Sequence, residues 1–526
     1  MSRSAMWRGA VAAVLAAGAG VAWGQATGGA GGFDRAGFVA KLASGQAGAG
    51  DVAKLPSAAL GPLYDAWMDE GTPEKARAAL GEGLVKLHAR VREEKSKALM
   101  AAMRAWYVRS GPAVYRAGKH DGSQGDELAG QALDKIVDTP ADAYALAKAA
   151  VDAGSKDALV WYYYQSRMPD DGPRDKAVGA AVTCEHLWEE AAYPAERRMY
   201  ALLRCAAALS WAGNADAVKE AKVPAGEAQR LFVEAMGLLP KIAAEKPGLP
   251  SPDELLSLAE LVSNRLDKND ATTTFNRVFP AFNKAFPNNA QVLAYAATFY
   301  TRWAWEARGN GVANTVTDAG WQQFGRRLDQ AEQYVKQSVA ADPAAAEGPT
   351  AMLTIAVGKS FPRPVMEKWY TRAMNANPDN FTACMAKLNY LLPQWYGSAE
   401  DCLAFGRECA EHGTGLNRIP LILVEAHREL RALSEDQAAY MKDVRVWADI
   451  QSAYEKVLDE ETGKVPERQV RVDRAMYLKY AAECEQWGDF LDLSNKFGDE
   501  VDMETVGGKT LLEFYKRKAA QAADKG

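Results

Sequence analysis

The sequence predicts an all-α chain, an array of antiparallel helix hairpins behind an N-terminal helical section. Three observations carry this. Apolar residues recur at helical spacing almost throughout, and no stretch alternates as a strand would. Alanine is the commonest residue, which favours helix and close helix packing. Two helix-ending prolines, Pro343 and Pro378, lie 35 residues apart, within one residue of the length of a helical hairpin repeat.

Composition bounds the rest. At about 150 residues per domain, a chain of 526 residues holds several domains or one extended array. Hydrophobic residues at 48% and charged residues at 25% fit a globular protein and exclude global disorder. A net charge of -6 argues against a nucleic-acid binder, which needs a basic face against phosphates. With 5 His and 6 Cys, metal and nucleophilic chemistry have few residues to draw on, and no cofactor is expected.

Residues 1–24 read as an export signal. Arg3 and Arg8 form a positive start, Gly9 to Trp23 is uncharged, and Ala22-Trp23-Gly24 offers small residues for cleavage before Gln25, or alternatively after Ala26. An uncleaved N-terminal anchor is the competing reading, although the apolar stretch is shorter than the roughly 20 residues that span a bilayer. No later stretch is long and apolar enough to span. The expected location is therefore periplasmic or secreted.

Residues 25–125 form the N-terminal section. After a Gly/Ala-rich leader at 25–32, short helical patterns cover Phe33 to Leu42 and Asp51 to Met68. Thr72-Pro73-Glu74 looks like a cap followed by Pro at the first helical position. Ala76, Leu80, Leu84, Leu87, Val91, Ala98, Ala102, Ala105 and Tyr107 then trace one apolar face to about Ser110, as one long helix or as two broken near Gly81. The charge run Arg90 to Lys95 forms its solvated face. A polar Gly-rich loop over Lys119 to Asp126 closes the section.

Hairpins follow, over 126–250 and then over a clearer repeat region, 251–526. Counting back from Pro378 places Ala373, Tyr370 and Leu353 at small, aromatic and leucine-like positions. Counting back from Pro287 places Phe282, Phe279, Val262 and Ala259 on the same frame, after the capping signal Ser251-Pro252-Asp253-Glu254. Trp211-Ala212-Gly213-Asn214 and Gln486-Trp487-Gly488-Asp489-Phe490 mark turns, with each Gly where a helix must stop. These residues resemble the tetratricopeptide (TPR) repeat. The resemblance implies a right-handed α-solenoid of four or five TPR-like units between about 195 and 500, with an insertion loop near 309–320.

This register puts Cys205, Cys384 and Cys484 at packed positions. Cys184 and Cys205 lie about equally far from the Tyr193-Pro194 turn, which admits a disulfide; buried thiols are the competing reading. Cys384 with Cys402 or Cys409 poses the same choice. Cys402, Cys409 and His412 share a helix face, but without a fourth ligand they read as packing rather than metal ligands, and no C-x-x-C pair exists.

The frame breaks most sharply at 300–325. A helix runs to Arg308, a polar loop with glycines follows, and a new helix opens near Asp318, read as its cap. Trp303, Trp305, Arg308, Asn314, Thr317, Asp318 and Trp321 combine aromatic faces with hydrogen-bonding groups, a mixture suited to a sugar or peptide. The competing reading is an ordered loop that packs its own tryptophans. Trp395 and Tyr396, in Leu391-Leu392-Pro393-Gln394-Trp395-Tyr396-Gly397-Ser398, form a second break; Ser398 is placed to cap the next helix. The motifs Trp303-Ala304-Trp305-Glu306-Ala307-Arg308-Gly309, Asn314-Thr315-Val316-Thr317, Gly320-Trp321, Pro393 to Ser398 and Ala404-Phe405-Gly406-Arg407-Glu408 resemble an uncharacterised family of bacterial secreted TPR-like proteins. The resemblance covers about 290–430 and implies architecture but no activity. That family carries a basic residue where this chain has Gln394.

Enzyme motifs fail on inspection. Gly358-Lys359-Ser360 lacks the earlier Gly of a phosphate loop, and Asp267-Lys268-Asn269-Asp270 lacks the Gly and final Glu of a calcium loop. Glu306 and Asp318 would be the acids of a glycan-cleaving site, on position alone. The expected function is non-catalytic binding of a protein or peptide in the bacterial cell envelope. An envelope-glycan binder is the alternative, suggested by the tryptophans and by Trp161-Tyr162-Tyr163-Tyr164.

Overall fold

The computed structural model describes residues 33–118, 120–136, 139–166, 181, 183, 185–188, 192–212, 218–219, 222–245 and 252–523. The export signal and leader, Cys184, the Gly213-Asn214 turn and Ser251 lie outside the described residues. Those described are helical, with no strand among them. They fall into two compact units, one through Gly348 and one from Pro349. The division lies inside what the sequence reads as one repeat region.

In the first unit α1 (Arg35–Ser44), α2 (Ala49–Ala53) and α3 (Leu60–Met68) pack on the start of α4 (Glu74–Ser110). Leu42, Val52, Leu60, Leu63 and Tyr64 meet Leu80, Leu84, Leu87 and Val91 in a closed apolar cluster. The long helix is continuous across Gly81. Thr72 does not cap it: its hydroxyl donates to the Ala66 carbonyl at 2.7 Å. Beyond Val91 the predicted apolar face is covered only at Tyr107, which is half-buried and donates to the Leu133 carbonyl at 3.1 Å. Ala98, Ala102 and Ala105 are exposed, as are Met100 and Met103. The stretch is held at both ends instead. Lys95 pairs with Asp342 at 2.6 Å, and Trp106 Nε1 donates to Glu196 at 3.0 Å with the Arg197 guanidinium 4.0 Å over its ring.

After α4 come α5 (Pro112–Ala117), α6 (Gln124–Lys135), α7 (Pro140–Asp152), α8 (Ala158–Ser166), α9 (Ala195–Ala212), α10 (Glu227–Gly237) and α11 (Leu239–Ala244). Ser123 caps α6, so the predicted polar loop is shorter than read. Then follow α12 (Asp253–Leu266), α13 (Ala271–Ala285), α14 (Ala290–Arg308) and α15 (Asp318–Ala341). Most packing is between helices close in the chain, as in α12 on α13, α13 on α14 and α14 on α15. One core runs from Ala129 to Phe299. The repeat-frame residues Ala259, Val262, Phe279 and Phe282 lie in it. Tyr163 is buried there and Trp161, Tyr162 and Tyr164 pack against it, so that aromatic run serves the core. Asp270 and Asn289 cap α13 and α14 by accepting backbone N–H groups, each such cap contributing about 1 kcal/mol.

The second unit starts in α16 (Glu347–Gly358) and continues through α17 (Arg363–Ala376), α18 (Phe381–Tyr390), α19 (Ala399–His412), α20 (Ile422–Leu433) and α21 (Gln437–Met441). It closes with α22 (Val444–Glu461), α23 (Glu467–Glu483), α24 (Trp487–Phe497), α25 (Met503–Val506) and α26 (Lys509–Ala523). Leu353 and Ala373 are fully buried, while Tyr370 is half-buried. The last predicted turn is displaced: the chain reverses at Glu485, with φ of 56°, and Gly488 lies inside α24. Ser398 caps α19 as expected, accepting from the Asp401 N–H at 3.1 Å.

Candidate functional site

The 300–325 segment joins α14 to α15, and its side chains sort into an inner and an outer set. Trp303 belongs to the inner one. Its ring packs near Phe299 and Tyr300, at centroid distances of 5.6 and 5.9 Å. The Arg327 guanidinium lies 3.5 Å over it and donates to the Trp303 carbonyl at 2.6 Å. One residue of α15 thus grips both ring and backbone of α14, through cation–π attraction and a charge-assisted hydrogen bond. Burial lowers the Arg327 pKa from its usual range. Tyr300 stacks on Tyr334 at 5.6 Å and extends the same contact.

The outer set surrounds the loop. Gly309 ends α14 at φ 76° and ψ -179°, a conformation that strains any other residue. Arg308 donates to the carbonyls of Gly309 and Gly311 at 3.2 and 3.1 Å. Its guanidinium sits 5.6 Å from the Trp305 ring and 5.5 Å from the Trp321 ring. Both rings meet Phe324 edge-on, at 5.0 and 5.7 Å. Trp305 is half-buried, whereas Trp321 is 39% exposed. Asn314, Thr317 and Asp318 are exposed beside them. Asp318 is not the cap of α15: Thr317 takes that role, its hydroxyl accepting from the Gly320 N–H at 3.1 Å. Glu306 is exposed and lies 3.8 Å from Arg302.

Trp395 and Tyr396 belong to the second unit. Trp395 is half-buried. Tyr396 stacks on Tyr390 at 4.7 Å, and its hydroxyl donates to the Val357 carbonyl at 2.9 Å. It therefore ties the turn to α16. The turn depends on Gly397, where an added Cβ would lie 2.2 Å from the Leu391 carbonyl oxygen. Gly397→Ala is expected to destabilise the unit by about 2–4 kcal/mol through backbone displacement. Urea unfolding checks this, and a cost below about 0.5 kcal/mol would show that the turn adapts.

One group near the segment carried no motif. Glu260, on α12, is desolvated, and this raises its pKa to about 7 against the opposing charge of Arg302; Tyr295 is raised in turn by burial and by Glu260. A single acid within the run Leu258-Ala259-Glu260-Leu261-Val262 was the available signal. Two surface hollows, of about 80 and 400 Å³, are lined by residues such as Tyr107, Arg116 and Leu133, and Tyr115, His120 and Glu127; neither includes the 300–325 segment.

The cysteines resolve in part. Cys205 is buried, with its Sγ 2.9 Å from the Ala181 carbonyl oxygen; its pairing with Cys184 falls outside the described residues. Cys402, Cys409 and His412 do not converge. Cys402 donates to the Leu391 carbonyl at 3.1 Å, and His412 is exposed beside the Glu408 carbonyl. Among the described residues no group of three His, Cys, Asp or Glu side chains is placed to hold a metal ion. In comparison with known proteins, no family model and no curated protein matches this chain.

Proposed function

We propose that this chain is a non-catalytic scaffold of the bacterial cell envelope that binds a protein or peptide. In this reading residues 1–24 direct export, and TPR-like hairpins stack as a right-handed α-solenoid, since no single hairpin hides its apolar face. The observation that carries the binding role is the outer aromatic set. Arg308 lies between Trp305 and an exposed Trp321, next to a loop whose Asn314, Thr317 and Asp318 face solvent. An aromatic anchor with an arginine and a polar rim suits a protein surface or an extended peptide. The exposed apolar stretch of α4 around Met100 and Met103 supports the same reading, because apolar surface left open on a helix commonly marks a contact site.

A second reading, an envelope-glycan binder, draws on the same exposed Trp321, since a sugar ring stacks on an aromatic face. One experiment separates the two. The purified chain is immobilised and challenged with an envelope extract and, separately, with purified envelope glycan. The protein-binding reading expects a discrete protein partner, reduced at least tenfold by Trp321→Ala and by Arg308→Ala, with the circular dichroism spectrum unchanged. Retention of glycan with no protein would transfer the role to the second reading. Equal capture by both variants would remove this surface from either.

A further inference from the structure

We infer that Asn310 is a self-modifying site, where the backbone nitrogen of Gly311 displaces the side-chain amide and leaves aspartate or isoaspartate in the loop between α14 and α15. Asn310-Gly311 is the single Asn-Gly pair in the sequence. Both residues lie exposed in a bend, after the end of α14 and before the short turn Ala313–Thr315. Three features favour ring closure there. Gly311 has no Cβ to obstruct the approach of its nitrogen to Asn310 Cγ, and the fold requires glycine at this position, because an added Cβ would collide with the Thr315 hydroxyl. Among the described residues no backbone carbonyl accepts the Gly311 N–H, so the nucleophile is not tied into a helix. The Arg308 guanidinium spans the pair, donating to the carbonyls of Gly309 and Gly311 at 3.2 and 3.1 Å. A positive charge held there favours the anionic nitrogen that attacks.

The chemistry needs only water and base. Hydroxide takes the Gly311 amide proton. The nitrogen attacks Asn310 Cγ, an N–C bond forms, and the bond from Cγ to the side-chain nitrogen breaks with uptake of a proton, releasing ammonia. Water then opens the succinimide ring. Opening at Cγ gives aspartate. Opening at the backbone carbonyl carbon gives isoaspartate, which routes the chain through the side chain and lengthens it by one carbon. The sum is one amide and one water to one carboxylic acid and one ammonia, with no change of oxidation state. Asn314 shares the loop, but it sits within the short turn and is followed by the β-branched Thr315, so it serves as an internal reference. The new carboxylate arises two residues from Arg308, whose guanidinium lies against Trp305 and Trp321. Its effect on partner capture, a weakening as the protein ages, rests on the binding role proposed for this surface; the modification itself does not.

Peptide mapping tests this without any binding partner. The full chain is aged in its folded state at several pH values, then unfolded and digested with trypsin at mildly acidic pH, which releases Gly309 to Arg326 as one peptide. The expected record is a transient form of this peptide lighter by ammonia, then two products heavier by the exchange of NH2 for OH. Fragment ions should place the change at residue 310 and separate aspartate from isoaspartate. Conversion at Asn310 should run at least tenfold faster than at Asn314 and quicken as pH rises. Arg308→Met should slow it at least threefold, and Arg308→Lys, which keeps the charge, should slow it less. Asn310→Gln, whose longer side chain closes a less favourable ring, should abolish the change with the circular dichroism spectrum intact. Conversion at Asn310 no faster than at Asn314, or confined to chains unfolded before ageing, would overturn the assignment. Conversion with unchanged partner capture would uphold the modification and count instead against the binding role of this loop.

Discussion

Arg418→Met is expected to lower the unfolding free energy by about 3–5 kcal/mol, because it strands a buried carboxylate. Asp473 is fully buried, and its two oxygens accept from Arg418 and from Gln469 Nε2, each at 2.6 Å. Beside it lies Glu461, 1% exposed, in the field of Asp473. Two acids in contact away from water do not both ionise readily. Burial and the neighbouring Asp473 raise the Glu461 pKa to about 8, so that it keeps its proton at neutral pH. A raised carboxyl pKa means that the folded chain binds a proton which the unfolded chain has released. The stabilisation is complete below the unfolded value of 4.5 and is lost as pH rises through about 8. Within that window stability should fall with pH, by up to about 1.4 kcal/mol per unit for one proton. Glu461→Gln removes the titration and should flatten the slope. Urea unfolding of the wild type and both variants at several pH values reads out both effects. A wild-type profile as flat as that of Glu461→Gln would show that Glu461 does not hold its proton through neutral pH. A replacement of Arg418 costing under about 1 kcal/mol would show that Asp473 finds water or another donor.

Trp303→Ala is expected to cost about 2–4 kcal/mol, toward the lower part of the range for large aromatic truncations because the ring is half-buried. The ring contacts Phe299 and Tyr300, and the cation–π contact with Arg327 is lost with it. Trp321→Ala should cost less, about 1 kcal/mol or below, since its ring is 39% exposed and meets Phe324 and the Arg308 guanidinium at the edge of the segment. The two tryptophans thus test a division of labour: the inner one fastens α14 to α15, and the outer one is free for recognition. Paired thermal melts check it. Equal losses would make the whole aromatic group core, and the surface argued for binding would disappear.

The helices and their buried faces were legible because burial repeats at helical spacing. Ala259, Val262, Phe282, Leu353 and Ala373 could be placed from one proline each, and all are buried. Capping was harder. Thr317 and Asp318 are adjacent and chemically equivalent as caps, so the loop path decides between them. The reversal at Glu485 was hidden by the nearby Gly488, because glycine is the usual signal for a left-handed residue. The exposed middle of α4 was illegible for another reason: a periodic apolar face states that a helix has something to hide, not that this chain supplies the cover. Contacts made across helices carried no local sign. Arg327 reaches Trp303 over 24 residues, and Asp473 meets Arg418 over 55. The 300–325 segment stood out because it interrupts the apolar period, but the separation of its tryptophans into inner and outer sets needed three dimensions.

The account turns on whether the surface at Trp321 meets a partner. The most direct measurement replaces this residue with a photo-crosslinking amino acid, Trp321→p-benzoylphenylalanine, in cells that express the full chain. The same probe at Val444, which is 68% exposed in the other unit, serves as control. The account predicts a discrete protein adduct from position 321 and none of the same mass from 444. No adduct at 321 from a folded, expressed chain, or an identical pattern from both positions, would contradict it.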